Sequence, residues 1–352
     1  MPLAKPAALL AAGASLLLAG PAVADERVQV LASFSILADM VEEIGGEHVE
    51  VTALVGPDSD AHVYSPRPTD ARALAQADLV VFNGLQFEGW MERLVDASDY
   101  AGPTVVATAG IEAALAAGED DAHGDEEHDH EAPAEEPGHD DHGGEHDDHA
   151  ARADGHDHDH GGLDPHAWQD LGLGEVYVTN IRDGLIGADP AHEAAYRERA
   201  ARYLEEIAAL DAEIRAMMDE LPEHTSVITG HDSFGHFARA YGVAFLSPTG
   251  LSTAAEPSAA NMARLIDTIR ERDVRALFHE NMTSPAMIEQ LAEETGLPIA
   301  GTLYADALAS EGEASSWLGM LHHNARLLHD ALADPAHERD HDHEHEHDDH
   351  DH

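Results

Sequence analysis

An uninterrupted helical segment of roughly thirty residues divides the chain into two halves. It starts at Asp189-Pro190, where a capping residue precedes a proline at the first helical position, and continues to about Leu221 without glycine or proline. A helix of that length extends about 45 Å at 1.5 Å per residue. We therefore predict a rigid linking helix at residues 189–222, which places one folded unit before it and another after it.

The half before the linking helix alternates strands with helices. The hydrophobic pattern predicts strands at 28–32, 49–55, 78–83 and 104–107, and helices at 35–44, 69–77, 87–98 and 171–186. Strand, helix and strand at this spacing indicate right-handed βαβ units and a parallel sheet. We expect residues 25–188 to form an N-terminal α/β lobe.

The half after the linking helix repeats the pattern. Strands are predicted at 226–229, 243–246, 276–279 and 299–303, and helices at 233–241, 258–271, 285–295 and 317–332. Residues 223–333 are the expected C-terminal α/β lobe. The predicted fold class is thus α/β, with two lobes that each hold a parallel sheet flanked by helices, joined by a long rigid helix.

Two low-complexity segments, residues 119–162 and 334–352, alternate histidine with aspartate and glutamate. They carry about half of the formal net charge of −52. Because they lack the large apolar residues that a core requires, we predict that both are disordered. Such a charge repels nucleic acid and anionic lipid headgroups and attracts cations, so no nucleic-acid partner is expected.

The first 24 residues are typical of a secretory signal peptide. Lys5 supplies the positive charge, residues 7–19 form a short apolar stretch, and Ala22-Val23-Ala24 is a small-residue cleavage site. We predict cleavage after Ala24, with an uncleaved anchor as the alternative. The apolar stretch is too short for a membrane span, and no later stretch is long and apolar enough to cross a bilayer. The mature chain is expected to be soluble and exported to the periplasm.

The sequence contains no cysteine. This excludes disulfides, thiolate metal sites and a lipid-modified cysteine, so zinc bound here must be held by nitrogen and oxygen ligands. His166 follows Pro165 and precedes Trp168, directly after the first His-rich segment. Proline restricts the local backbone, and a histidine held at one angle suits a metal ligand, although a packing role is the alternative.

Three histidines and one aspartate occupy equivalent places in the predicted lobes, namely loops in the first half and strand ends in the second: His62, His166, His231 and Asp306. Loops at the carboxyl ends of parallel strands are where α/β proteins bind ligands. If the two lobes face each other, these side chains converge in the cleft. Three neutral imidazoles and one carboxylate form a tetrahedral zinc site.

Further polar residues lie near this predicted cleft. We expect Glu280 and Asp232 to support the ligand imidazoles, because ligand histidines usually donate their second ring nitrogen to such groups. His236 follows His231 by five residues, which on a shared helix places it about 140° away. We therefore expect His236 to pack or to face solvent.

Three motifs resemble those of one family: residues 62–68 (HVYSPRP), 164–168 (DPHAW) and 230–237 (GHDSFGHF). In this order they resemble the periplasmic solute-binding proteins of bacterial zinc and manganese ABC transporters, and among these the zinc-binding ZnuA/AztC-like group. The resemblance covers nearly all of the mature chain except the His-rich segments. It implies two lobes, a rigid linking helix, and a buried metal held by His62, His166, His231 and Asp306. The chain departs from the family at Ala307, where proline usually follows the aspartate.

The resulting hypothesis is a monomeric periplasmic receptor, not an enzyme, that captures Zn²⁺ and delivers it to the membrane permease of an ABC transporter. The resemblance implies a carboxylate at the position of His231 in manganese-type members, and imidazole there favours zinc. A manganese-binding member of the same family is nevertheless one alternative.

Two other functions are alternatives. A zinc hydrolase would keep an open metal position, yet four ligands close this one and no His-Glu-x-x-His motif or nucleophile elbow is present. A zinc buffer acting through the His-rich segments is the other possibility. A periplasmic zinc chaperone that loads the site is a further candidate partner.

Overall fold

The computed structural model describes residues 27–122, 163–222, 225–255, 257–272 and 274–333. The N-terminal sheet has the strand order β2-β1-β3-β4 and the C-terminal sheet the order β6-β5-β7-β8, and every pair of neighbours is parallel. The strands are β1 (Val28–Phe34), β2 (Val49–Val55), β3 (Leu79–Phe82), β4 (Thr104–Val106), β5 (Ser226–Ile228), β6 (Ala244–Leu246), β7 (Val274–Glu280) and β8 (Ile299–Leu303).

Helices cover the two sheets and connect them. They are α1 (Ser35–Gly45), α2 (Pro68–Leu74), α3 (Met91–Ser98), α4 (Ile111–Ala122), α5 (Gly174–Ala188), α6 (Glu193–Met218), α7 (Gly235–Tyr241), α8 (Ala259–Glu271), α9 (Ala286–Thr295) and α10 (Trp317–Leu332). In each sheet the second strand lies on one side of the first and the third strand on the other, so the strand order switches at the first strand and leaves a crevice at the carboxyl ends of the strands. The predicted α/β class with two parallel sheets is confirmed.

Helix α6 is the long connection between the lobes. It has 26 residues, or about 39 Å, and buries Tyr196, Tyr203, Ile207 and Ile214 on one side. It packs against α1 and α5 of the first lobe and α10 of the second. One cluster of buried apolar side chains runs through residues of both sheets. An apolar interface of this kind holds the two lobes in one relative orientation. The side chains that lie between the lobes are thereby held in place.

Several boundaries differ from the sequence prediction for local reasons. The helix predicted from residue 87 begins only at Met91, because residues 85–90 form turns in which Leu85 and Gln86 have φ angles of 52° and 63°. The linking helix begins at Glu193 after a 3₁₀ turn at Pro190–His192. Helix α4 was not predicted, and it continues to Ala122, inside the segment expected to be disordered.

Three predictions concern segments outside the described residues: the signal peptide, the remainder of the first His-rich segment at 123–162, and the tail at 334–352. Within the described part of the chain, no helix combines the length and the apolar character that a membrane crossing requires.

Candidate metal centre

Four side chains meet between the two sheets, and their ligand atoms all lie within 4.8 Å of one another: His62, His166, His231 and Asp306. Nε2 of His62 and Nε2 of His231 lie 3.2 and 3.0 Å from Asp306 Oδ2. Nε2 of His166 lies 3.6 Å from Asp306 Oδ1 and 3.3 Å from His62 Nε2. All four side chains are at most 4% exposed. The structure thus brings together every residue predicted as a ligand.

The polar atoms at this centre lack ordinary partners among the described residues. His231 Nε2 and both carboxylate oxygens of Asp306 are buried and make no hydrogen bond of acceptable geometry. Leaving such groups buried and unpaired is costly, so their convergence fits a site that holds a cation. Ligand atoms at 2.0–2.1 Å from a tetrahedral zinc ion are about 3.3 Å apart. The separations of 3.0, 3.2, 3.3 and 3.6 Å fit that arrangement.

His62 is held by the loop that follows β2. Its backbone N–H donates to Asp60 Oδ1 at 2.8 Å, and the carbonyl of Ala61 accepts from Trp90 Nε1 at 2.8 Å. The ring of Phe87 meets the His62 imidazole edge to face, with 4.6 Å between the ring centres. These contacts aim the imidazole at the centre although its backbone lies in an irregular loop.

His166 is oriented by the aspartate two residues before it. Asp164 Oδ1 accepts from the backbone N–H of His166 at 3.0 Å and lies 2.7 Å from its Nδ1, which leaves Nε2 directed at the centre. Burial opposes the charge on Asp164, but its contact with His166 lowers the pKa of this carboxyl group below its usual value. The carbonyl of Pro165 accepts from Asn83 Nδ2 at 2.9 Å, and this bond anchors the turn to the end of β3.

His231 follows β5 and is fixed by Glu280 at the end of β7. Glu280 Oε1 accepts from the N–H groups of Gly230 and His231 at 3.0 and 3.1 Å, and Oε2 lies 2.8 Å from His231 Nδ1. Burial disfavours an imidazolium here, yet the charges of Glu280 and Asp306 raise the pKa of His231 well above its usual value. Glu280 thus fixes both the backbone and the ring of His231.

Asp306 follows β8 and is positioned through its neighbour. The carbonyl of Ala305 accepts from Trp168 Nε1 at 2.9 Å and from Gln169 Nε2 at 2.8 Å, so the motif that carries His166 also holds the ligand of the other lobe. Burial favours the neutral form of Asp306, but His231 and His166 hold the pKa of this carboxyl group well below its usual value. The carboxyl group of Asp306 is therefore anionic.

Comparison with known proteins agrees with this geometry. The family model described as "Zinc-uptake complex component A periplasmic" matches residues 30–331. The chain belongs to this zinc-uptake family.

Members of the zinc-uptake family and related structures match along nearly the whole chain. The manganese-binding lipoprotein MntA of Bacillus subtilis is 30% identical, over 88% of this chain and 91% of its own. The iron-binding protein YfeA of Yersinia pestis is 27% identical, over 86% and 85%. The periplasmic zinc binding protein TroA of Treponema pallidum superposes with a TM-score of 0.72 at 26% identity, over 88% of this chain and all of its own.

Membership of the zinc-uptake family establishes the general function. The chain is a metal-binding substrate receptor of an ABC transporter and not an enzyme, and its partners are a divalent metal ion and a membrane permease. The expectation of a non-catalytic receptor is therefore confirmed. The relatives named above are described as binding manganese, iron or zinc, so they do not define which metal this chain binds.

Three carboxylates hold the histidines of the centre, and the sequence predicted one of them. Glu280 was expected to support a ligand imidazole, and its contact with His231 has that form. Asp60 and Asp164 were missed as supports. Both are aspartates two residues before a ligand histidine and accept its backbone N–H, so the repeated Asp-x-His spacing was the available signal.

The sequence also led to predictions for His236 and Asp232, which lie near the centre. His236 does not join the ligands, because its Nε2 lies 3.0 Å from the carbonyl oxygen of Asp164. It lies in α7, whereas His231 precedes that helix, so the assumption of one shared helix was wrong. The backbone N–H of Asp232 donates to the carbonyl of Gly250 at 3.2 Å, and the supporting role of its side chain stays a prediction.

Proposed function

We propose that this chain is a periplasmic receptor that binds one Zn²⁺ between its lobes, at His62, His166, His231 and Asp306, and delivers it to an ABC-transporter permease. The observation that carries the choice of metal is the set of three imidazole nitrogens and one carboxylate. Imidazole suits zinc, whereas manganese prefers oxygen ligands. The contact of Glu280 with His231 supports the same choice, since it keeps Nε2 of the third imidazole directed at the centre.

Export and assembly follow the same proposal. The chain is directed to the periplasm by residues 1–24 and released after Ala24. Relatives such as MntA are named lipoproteins, but this sequence has no cysteine to carry a lipid. We propose that the receptor acts as a soluble monomer, with residues 25–188 and 223–333 as its lobes and 189–222 as the connection between them.

The specificity is tested by equilibrium competition between Zn²⁺ and Mn²⁺ on purified protein, combined with metal analysis. We expect one equivalent of tightly bound zinc, displacement of manganese by zinc, and loss of the site in His231→Ala. Co²⁺ provides a spectroscopic control, because tetrahedral and octahedral cobalt differ strongly in visible absorption. Preferential retention of manganese would favour the second candidate, a manganese receptor, which the name of MntA supports.

The His-rich segments are proposed to collect zinc for the centre rather than to be the main site. Their histidines protonate near pH 6, so their contribution should collapse there. A variant that lacks residues 119–160 and 334–352 should keep one tight site. If tight binding disappears with these segments, the chain is a zinc buffer instead. Loading by a periplasmic zinc chaperone is tested separately, by transfer from a zinc-loaded donor.

A further inference from the structure

Of the four side chains at the metal centre, that of His62 is the most exposed, at 4%. A cleft of about 870 Å³ opens beside the centre and is lined by His62, Gln86, Phe87, Leu163 and Leu251, among others. His166, His231 and Asp306 have side chains that are at most 1% exposed, and within the described part of the chain they do not line this cleft. An ion that leaves toward the cleft therefore has to pass His62.

One carboxylate connects His62 to the opposite lobe. Asp60 Oδ1 accepts from the backbone N–H of His62 at 2.8 Å, and Asp60 Oδ2 accepts from Thr253 Oγ1 at 2.6 Å. Thr253 belongs to the loop between β6 and α8, and Leu251 and Ser252 of that loop line the cleft. The hydroxyl of one lobe thus restrains the backbone of a metal ligand in the other.

Other contacts secure the start of the loop between β2 and α2, which carries His62. Asp58 Oδ1 accepts from Asn281 Nδ2 at 3.0 Å, and Asp58 Oδ2 accepts from the backbone N–H of Ser310 at 3.1 Å. These bonds lie four residues from His62, whereas Asp60 bonds to His62 itself. Asp60 and Thr253 are both only partly buried, so water can replace their bond when the loop moves.

We propose that the Asp60–Thr253 hydrogen bond is a latch that sets how fast His62 moves aside and the metal dissociates into the cleft. Thr253 is then a positioning residue, which acts on the metal through Asp60 and the backbone of His62. This inference rests on the metal site given under the proposed function. A charge-assisted bond that is made while the ion is held, and lost as it leaves, slows dissociation about 3- to 30-fold.

The experiment removes the hydroxyl and keeps the side-chain shape. Full-length Thr253→Val is loaded with one equivalent of Zn²⁺ and mixed with an excess of a chromophoric chelator in a stopped-flow instrument. We expect the dissociation rate to rise about 3- to 30-fold with the stoichiometry unchanged. Thr253→Ser, which keeps the hydroxyl, should restore the wild-type rate. Thr268→Val removes a hydroxyl that bonds within α8, and it should leave the rate unchanged.

The outcomes separate the latch from the site. A wild-type rate in Thr253→Val would overturn the latch, and so would an equal acceleration in Thr253→Ser, because the hydroxyl would then not be responsible. Thermal unfolding of the metal-free variants is the control for general destabilisation. If Thr253→Val unfolds at a clearly lower temperature than wild type and Thr253→Ser does not restore the dissociation rate, the acceleration reflects that destabilisation and the latch is overturned. The proposed function would instead be refuted if the wild-type protein failed to bind zinc, or if His166→Ala bound zinc as tightly as wild type.

Discussion

Glu280 Oε2 lies 2.8 Å from His231 Nδ1, and this contact determines which nitrogen of His231 faces the metal centre. A carboxylate beside Nδ1 keeps the proton on that nitrogen and leaves the lone pair of Nε2 for a metal ion. The second oxygen of Glu280 accepts the N–H groups of Gly230 and His231, so the backbone and the ring are held together. Glu280 is 3% exposed and belongs to the site through its contact with His231.

The first prediction concerns Glu280→Gln. The amide keeps the size of the side chain but loses the charge. It therefore holds the His231 ring less firmly, and the imidazole of His231 becomes less basic. We expect metal affinity to fall about 10- to 100-fold, measured by chelator competition at fixed pH. Glu289→Gln in the first turn of α9 is a control that should not change affinity. Equal affinity in Glu280→Gln and wild type would show that the contact does not support the ligand.

The second prediction concerns the choice of metal. His231→Asp alone places a new carboxylate against the buried Glu280, and the repulsion should weaken binding of every divalent ion. The double variant with Glu280→Gln removes this conflict and offers two carboxylates and two imidazoles. We expect its preference to shift from zinc toward manganese. Parallel titrations of wild type, single and double variants measure the ratio of the two affinities; a constant ratio would show that residue 231 does not set selectivity.

Much of the fold was accessible from local pattern. The strands around Val30 and Val80 have continuous apolar runs, as expected in a sheet covered on both faces, and all eight predicted strands are present. The boundaries that failed depend on backbone states that the pattern does not encode. Leu85 and Gln86 have positive φ without being glycine, and tertiary contacts beside the metal centre have to maintain them.

The convergence of the four side chains at the candidate metal centre could be predicted because strand ends in a parallel fold converge. The supporting contacts could not, since they join residues far apart in sequence. Trp168 and Ala305 are 137 residues apart and form one hydrogen bond across the lobes. Sequence reasoning treated Trp168 only as a restraint on His166, but it also positions Asp306. Such a contact depends on the relative placement of the lobes, which no single segment determines.

The third prediction uses two glycines of α5 with opposite expected effects. A Cβ atom at Gly184 would clash with Val105 Cγ2 in β4, whereas a Cβ atom at Gly187 would meet no atom within 4 Å. Gly184→Ala should therefore destabilise the protein by about 1–3 kcal/mol, because the stiff valine has to move. Gly187→Ala should stabilise it by up to about 1 kcal/mol through helix propensity. Urea unfolding of both variants measures the difference, and shifts of equal sign would contradict the packing of α5 on the sheet.

The fourth prediction concerns pH and the contact between α1 and α10. Asp39 Oδ2 accepts the backbone N–H of Trp317 at 2.7 Å. Burial is the main cause that raises the pKa of Asp39 to about 7, and the nearby Glu43 and Glu42 add to it against the opposing bond from Trp317. Because this pKa is higher in the folded protein than in the unfolded chain, folding takes up a proton between about pH 4 and pH 7. Stability from this group is thus fully present below about pH 4 and is lost as the pH rises through about 7.

Asp39→Asn removes this dependence while it keeps an oxygen that accepts from Trp317. As the pH rises from 5 to 8, the unfolding free energy of wild type should fall by about 2–3 kcal/mol relative to that of the variant. The measurement is urea unfolding of metal-free protein in the presence of a chelator, so that metal binding does not contribute. Asp267→Asn, at an exposed position in α8, should follow the wild-type profile. Parallel pH profiles for Asp39→Asn and wild type would show that Asp39 is ionised in the folded protein across this range, and that its burial between the lobes is incomplete.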